Sequence, residues 1–198
     1  MKTASILVLV ISIACSAALL VLSLWPGAFD TLYFIALLTA VFWVPMAGIG
    51  ALVLLVLAIR MVIKGARGSR ASLVRLVVAG AVPFLSLAIV LTNIPLRLAF
   101  IFCRPSFEQW VESAPASQYG GETLNRRIGM WRVDEYAADP RGGVYFRVGT
   151  GQDGLGPNTM SHGFAFKPNF EGSPFGNAKY RRSRLTGDWF YFQVSDDY

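Results

Sequence analysis

The sequence predicts a three-helix membrane anchor carrying a small, mainly antiparallel β domain of about five strands, with a short amphipathic helix between them. Three observations lead there. Only 15% of the 198 residues are charged and 54% are hydrophobic, whereas soluble domains carry about a quarter charged residues. The apolar residues gather in three long runs in the first half of the chain. Beyond residue 126 the pattern changes to short alternating stretches separated by Gly and Pro, as strands and turns require.

The runs come first. Residues 4–25 and 31–59 contain no charge at all, and residues 76–102 contain only Arg97. A helix needs about 20 apolar residues to cross the hydrocarbon core, so each run is long enough, and residues 1–103 form the expected transmembrane domain. Pro45 and Pro83 remove backbone donors and should kink the second and third helices. Gly48 and Gly50 beside Pro45 suggest a packing seam.

The net charge of +6 sets the expected topology. Residues 1–103 hold seven basic residues against one acid, Asp30, while the 11 basic and 11 acidic residues of 104–198 cancel. Five of the cations, Arg60, Lys64, Arg67, Arg70 and Arg75, crowd the connection between the second and third runs. Cytoplasmic loops are enriched in Lys and Arg, so this loop is expected inside, with the N-terminus. The turn at residues 26–30 and everything after residue 103 are then outside, in a multi-pass protein of the plasma (inner) membrane. The basic charge belongs to the membrane half, so it gives no support to nucleic-acid binding, which needs a basic face on the binding domain.

The first run is too long for a cleaved signal, whose apolar core spans about 7–15 residues. Cys15 lies within it, followed by more apolar helix, which disfavours lipidation. Cys15 and Cys103 belong at different membrane depths, so no disulfide between them is expected. The three runs contain no Asp, Glu, His or Lys, the residues that transporters place within the bilayer to handle ions. Arg97 is expected to snorkel to the outer interface. Three such helices read as an anchor or an assembly surface.

Residues 104–126 are expected to form an interfacial helix and a linker. Arg104-Pro105 should end the third span, and in SFEQWVESA the residues Phe107, Trp110 and Val111 oppose Glu108 and Glu112. Arg97, Phe107 and Trp110 are therefore the expected membrane-interface anchors. The β domain then occupies residues 127–198. RIGMWRVDEY reads as one strand and ADPRGG as a turn. GVYFRVG alternates, with Val144, Phe146 and Val148 on one face and Tyr145 and Arg147 on the other. MSHGFAFKP places Met160, His162, Phe164 and Phe166 together, and KYRRSRL and DWFYFQV form a hairpin through LTGD. Trp131, Tyr145, Trp189 and Tyr191 are the expected interaction surface. So small a sheet has a marginal core. It is expected to lean on the 104–113 helix through Phe107 and Trp110, so that a 104–198 fragment would fold and a 120–198 fragment would not.

GTGQDGLG, residues 149–156, contains the spacing Gly149-x-Gly151-x-x-Gly154. A dinucleotide site needs a helix to follow, so that its N-terminus meets the pyrophosphate; here Gly156 and Pro157 precede another strand. The same stretch fits part of a calcium nonapeptide with Asp153 as carboxylate, but such sites require tandem copies. It is read as a loop whose glycines adopt positive φ, with no cofactor and no metal.

His162 is the single histidine. Its neighbour Ser161 must point to the opposite face of a strand, and no acid lies at a spacing that would orient it. His162 is read as a sheet residue, not as a base. The cations of Lys179, Arg181, Arg182 and Arg184 are divided between two strand faces. These features favour a non-enzymatic accessory or binding subunit of a larger membrane assembly, in contact with the lipid bilayer and with a protein partner or copies of itself. The alternative is an extracytoplasmic sensor or immunity-type protein that captures a ligand on a concave aromatic face. An outer-face hydrolase using His162 ranks last.

Overall fold

A computed structural model describes residues 2–30, 70–113, 121–153 and 158–196 without interruption, and single positions between 32 and 59. The predicted helix 31–59 falls almost wholly outside the described residues, as do Arg60, Lys64 and Arg67. The chain divides into two compact units. One comprises Met1–Leu20 and Ile35–Ile89, the other Val21–Phe34 and Val90–Tyr198.

The first unit contains most of α1 (Lys2–Leu22) and of α2 (Arg70–Leu91). Both are apolar around most of their circumference. Leu7, Val10, Ile11, Val77, Phe84 and Leu85 are exposed, while the small residues Ser16, Ala79 and Ser86 are buried. The Ser86 hydroxyl donates to the Val82 carbonyl at 2.9 Å, which satisfies it within its own helix. Arg70 and Arg75 belong to α2, not to the loop before it.

The expected third span, 76–102, is interrupted. α2 stops at Leu91, and α3 runs from Ile94 to Ser113. Asn93 has φ 55° and its N–H donates to the Val90 carbonyl at 2.9 Å, closing α2. Asn is among the few residues that tolerate the left-handed region. Pro95 then falls in the first turn of α3, where its missing N–H costs nothing. Pro105 does not end the helix as expected; it lies inside α3, which continues for two more turns. Among the described residues no single helix is long and apolar enough to cross a membrane, and Val77–Leu91 with Ile94–Glu112 meets that requirement only as a bent pair.

The second unit is built on a six-stranded antiparallel sheet in the order β1-β2-β3-β4-β6-β5. The strands are β1 (Glu122–Ile128), β2 (Trp131–Ala138), β3 (Val144–Gln152), β4 (Thr159–Phe166), β5 (Ala178–Thr186) and β6 (Trp189–Ser195). One more strand is present than expected, because RIGMWRVDEY is two. Gly129, with φ 60°, turns the chain between Ile128 and Trp131. A Cβ at Gly129 would lie 2.6 Å from that of Cys103 on α3, so no other residue fits the turn. β1 also begins inside the expected 104–126 linker. The turn at ADPRGG and the LTGD hairpin form as expected, with Gly142, Gly143 and Gly187 at positive φ.

Both faces of the sheet are covered. On one, Leu96, Phe100 and Phe107 of α3 meet Ile128, Trp131, Val133, Tyr136, Phe146, Phe164, Leu185 and Trp189 in a single aromatic core. Ring centroids lie 4.7 Å apart for Phe100–Phe164, 4.6 Å for Trp131–Phe164 and 5.3 Å, edge to face, for Phe107–Phe146. Such pairs add to the large apolar area each ring buries. The backbone of α3 also lies against the edge strands β1 and β5. The other face buries Tyr145, Ala165, Phe192 and Val194. It is covered by the 167–177 connection, held by Tyr145 donating to the Gly172 carbonyl (3.1 Å) and by Asn169 donating to Asp139 (2.9 Å).

Candidate functional site

The polar feature that the fold assembles from the most distant parts of the chain centres on His162. β4 alternates, so His162 shares a face with Phe164 and stands opposite Gly149 of β3 and Gln193 of β6. The residue is 2% exposed. Its Nε2 lies 2.5 Å from Asp30 Oδ2, and its Nδ1 lies 2.6 Å from the Tyr191 hydroxyl. Tyr191 is across the β4–β6 ladder on the same face, its ring nearly parallel to the imidazole at 17°. A neutral imidazole closes both bonds in one tautomer: Nε2–H donates to the carboxylate, and Nδ1 accepts from the phenol.

Asp30 reaches this position through the turn after α1. Successive backbone bonds, Leu24 N–H to Val21 O, Trp25 N–H to Leu22 O and Asp30 N–H to Gly27 O, fold the segment tightly. Trp131 Nε1–H donates to the Leu24 carbonyl at 2.8 Å, tying the start of the segment to β2. Three glycines make room for the rest. A Cβ at Gly27, which has φ 78°, would lie 2.8 Å from His162 Cδ2. One at Gly151 would lie 2.8 Å from Asp30 Oδ2, and one at Gly149 would lie 3.2 Å from the Pro26 carbonyl oxygen.

This corrects the expectation for GTGQDGLG. Gly149 and Gly151 are not loop residues at positive φ; they belong to β3, beside a bulge between Arg147 and Gly149. Their missing side chains admit the Pro26–Asp30 turn. Asp153, the candidate calcium ligand, accepts from Lys179 Nζ at 2.7 Å and from Ser195 Oγ at 2.5 Å. Those two hydrogen bonds hold its carboxyl below the ordinary range.

The electrostatics of the array follow from burial. Desolvation, with the Asp30 charge added, pushes the Tyr191 phenol above its ordinary value. The phenol therefore stays protonated and can donate to Nδ1. An acid–imidazole–hydroxyl series can in principle activate a nucleophile, but a phenol held protonated is a poor one. Both ring nitrogens are already engaged, and Ser161 pairs across the ladder with Thr150 and Val194 from its own buried position. The arrangement is suited to clasping the turn against the sheet.

The other expected site residues are redistributed. Phe107 is fully buried in the aromatic core, not at a membrane interface, because α3 turns that side of itself to the sheet. Trp110 is half-buried, 6.2 Å from the Tyr136 ring and beneath the Arg126 guanidinium at 5.5 Å. Arg97 is exposed on α3. Trp131, Tyr145 and Trp189, expected at a surface, are buried in the two cores; Tyr191 belongs to the array. Sequence reasoning passed over Asp30 as the partner of His162. The available signal was scarcity: Asp30 is the sole acid before residue 104, and His162 the sole histidine. No protein-family model matches the chain, and no curated protein or solved structure matches it either.

Proposed function

We propose that this is a non-enzymatic integral membrane protein with three spans, the accessory or binding subunit of a larger membrane assembly. The sheet unit is its extracytoplasmic part, and the basic stretch from Arg60 to Arg75, whose last residues open α2, lies on its cytoplasmic side. The observation that carries the reading is the apolar exposure of α1 and α2, where Leu7, Val10, Ile11, Val77, Phe84 and Leu85 all lack cover. Apolar exposure on that scale marks a membrane or protein contact. Further support comes from the membership of the second unit. The Pro26–Asp30 turn, the end of α2 and the sheet fall in one body, as they must if the first connection and the C-terminal domain share one side of a bilayer. The capture reading called for an open concave aromatic face, and α3 and the 167–177 connection cover the two faces available. The hydrolase reading uses His162 as its base, and the hydroxyl paired with His162 is the phenol of Tyr191, held protonated by burial.

The test has two parts. In a background free of Cys15 and Cys103, Ser117→Cys should react with an impermeant thiol reagent from outside, and Ser69→Cys only after permeabilisation. The full chain, crosslinked in native membranes and extracted in mild detergent, should migrate as a defined higher-mass complex. A protein that extracts as a lone monomer with no crosslinked species overturns the assembly reading, and an inverted labelling pattern overturns the topology.

A further inference from the structure

We infer that the first half of α3, Ile94–Phe102, is a membrane-interface helix that seats the sheet unit on the lipid surface. The inference rests on the membrane reading above and adds which surface of the second unit the lipid covers. On a helix, residues three and four apart share a face. Leu96, Phe100, Cys103 and Phe107 recur at that spacing and turn to the sheet, where Phe100 and Phe107 are fully buried. The opposite side carries a second series, Ile94, Leu98, Ile101 and Phe102, and all four are exposed, Phe102 at 84%. α3 is therefore apolar on two opposite faces over its first nine residues, and only one face has a covering.

The outward side changes character along the helix. From Pro105 onward the same stripe is carried by Glu108, Gln109 and Glu112, and Arg104 pairs with Glu108 at 2.7 Å. A protein groove gives no reason for the apolar series to stop where the charges start. A bilayer gives one, because a helix leaving the headgroup region passes from acyl chains to water. The exposed series also continues from Leu91, which is 73% exposed at the end of α2, and the same unit exposes Trp25. Trp is the side chain most at home at the headgroup level. Arg97 is the one charged residue between Arg75 and Arg104, and it is exposed beside the apolar series. Its stem can lie along the acyl boundary while the guanidinium reaches lipid phosphates. The 104–113 segment, whose apolar side is already in the core, is left facing water.

The experiment uses the full chain, Cys15→Ser and Cys103→Ala, with Phe84→Cys, Leu98→Cys, Phe102→Cys or Gln109→Cys introduced singly and spin-labelled. Each is reconstituted in vesicles of zwitterionic and anionic phospholipid, and collisions with oxygen and with a water-soluble nickel chelate are compared. The expected oxygen-to-nickel ratio is several-fold higher at 98 and 102 than at 109, and highest at 84. If 84 is lipid-embedded while 98 and 102 collide freely with nickel, the interface helix is refuted and the anchor stands. If 98 and 102 are shielded from both reagents, a protein partner covers this face and the inference is likewise overturned. If 84 itself is open to nickel, the membrane reading fails and takes this inference with it.

Discussion

Along α1 and α2 the large apolar side chains Leu7, Val10, Phe84 and Leu85 stand exposed, whereas in the second unit Phe100, Phe107, Phe164 and Trp189 are sealed between the sheet and α3. The two regions draw on similar residue types. What separates them, among the described residues, is a covering layer. The sheet has two, a helix on one face and the 167–177 connection on the other. Among the described residues, α1 and α2 carry no such layer over these apolar sides. Hydrophobic composition alone therefore says little about where a residue ends up; the identity of the opposing surface decides it.

The sharpest way to break this comparison is to truncate one aromatic in each region of the full chain. Phe107→Ala should destabilise the sheet unit by about 3–5 kcal/mol, the usual cost of emptying a core aromatic site, read as a lowered midpoint in tryptophan fluorescence. Phe84→Ala should leave that midpoint unmoved. Equal shifts would mean that the two regions do not differ in the way described. The same core changes the expected fragment behaviour. Leu96 and Phe100 belong to it, so a 104–198 fragment, expected from sequence to fold, should be molten, as should 120–198.

Glycine gives a second matched pair. At Gly151 a Cβ would meet Asp30, whereas at Gly80 in α2 nothing lies within 4 Å. Gly151→Ala should cost about 1–3 kcal/mol through overpacking and loosen the turn, while Gly80→Ala should cost nothing. Hydrogen exchange on the 22–30 segment would register the first change and not the second.

Acid separates the regions more gently. Asp153, held low by hydrogen bonds from Lys179 and Ser195, adds stability that is complete above the unfolded carboxyl value and is lost as pH falls through its lower folded value. Asp139 follows the same sign. Burial opposes its ionisation, but the hydrogen bonds and charge of Arg141, with Asn169, outweigh that. The sheet unit should therefore weaken on acidification, and Asp153→Asn should flatten the profile; an unchanged profile would count against the pairing. The smallest effect belongs to Phe170, which is 81% exposed against the Arg182 guanidinium at 3.6 Å. Phe170→Ala should move the midpoint by no more than about 0.5 kcal/mol.

Most of the sheet was legible because its signals are local. Alternation in GVYFRV, the ADPRGG turn and the LTGD hairpin all formed where the residues placed them. β1 was not legible, since Glu122–Ile128 carries few β-formers and is largely exposed. The break after Leu91 could have been read from Asn93 and Pro95 in succession, but the apolar run around them masked it. The faces were misjudged for a different reason. Periodicity identifies which residues share a side but not which sides α3 and the 167–177 connection cover, and these bury Trp131, Tyr145 and Trp189. The array was invisible to any local pattern, because Asp30 and His162 are 132 positions apart. Gly149 and Gly151 were misread alongside it, as their purpose is a steric allowance for a segment far upstream.

The turn after α1 and the sheet are one energetic body, joined through Asp30 and His162. A double-mutant cycle on the full chain tests it, with Asp30→Ala, His162→Ala and the double variant unfolded under identical detergent conditions. Asp30→Ala strands the buried imidazole, and His162→Ala strands the Tyr191 hydroxyl and a carboxylate that is one-third exposed, each at a cost of about 1–3 kcal/mol, so the double variant should cost less than the two together. The coupling should lie within the range of about 0.5–3 kcal/mol seen for residues in contact, towards its upper end. If the two losses instead add to within about 0.5 kcal/mol, as independent sites do, the clasp does not exist in solution and the turn is free of the sheet.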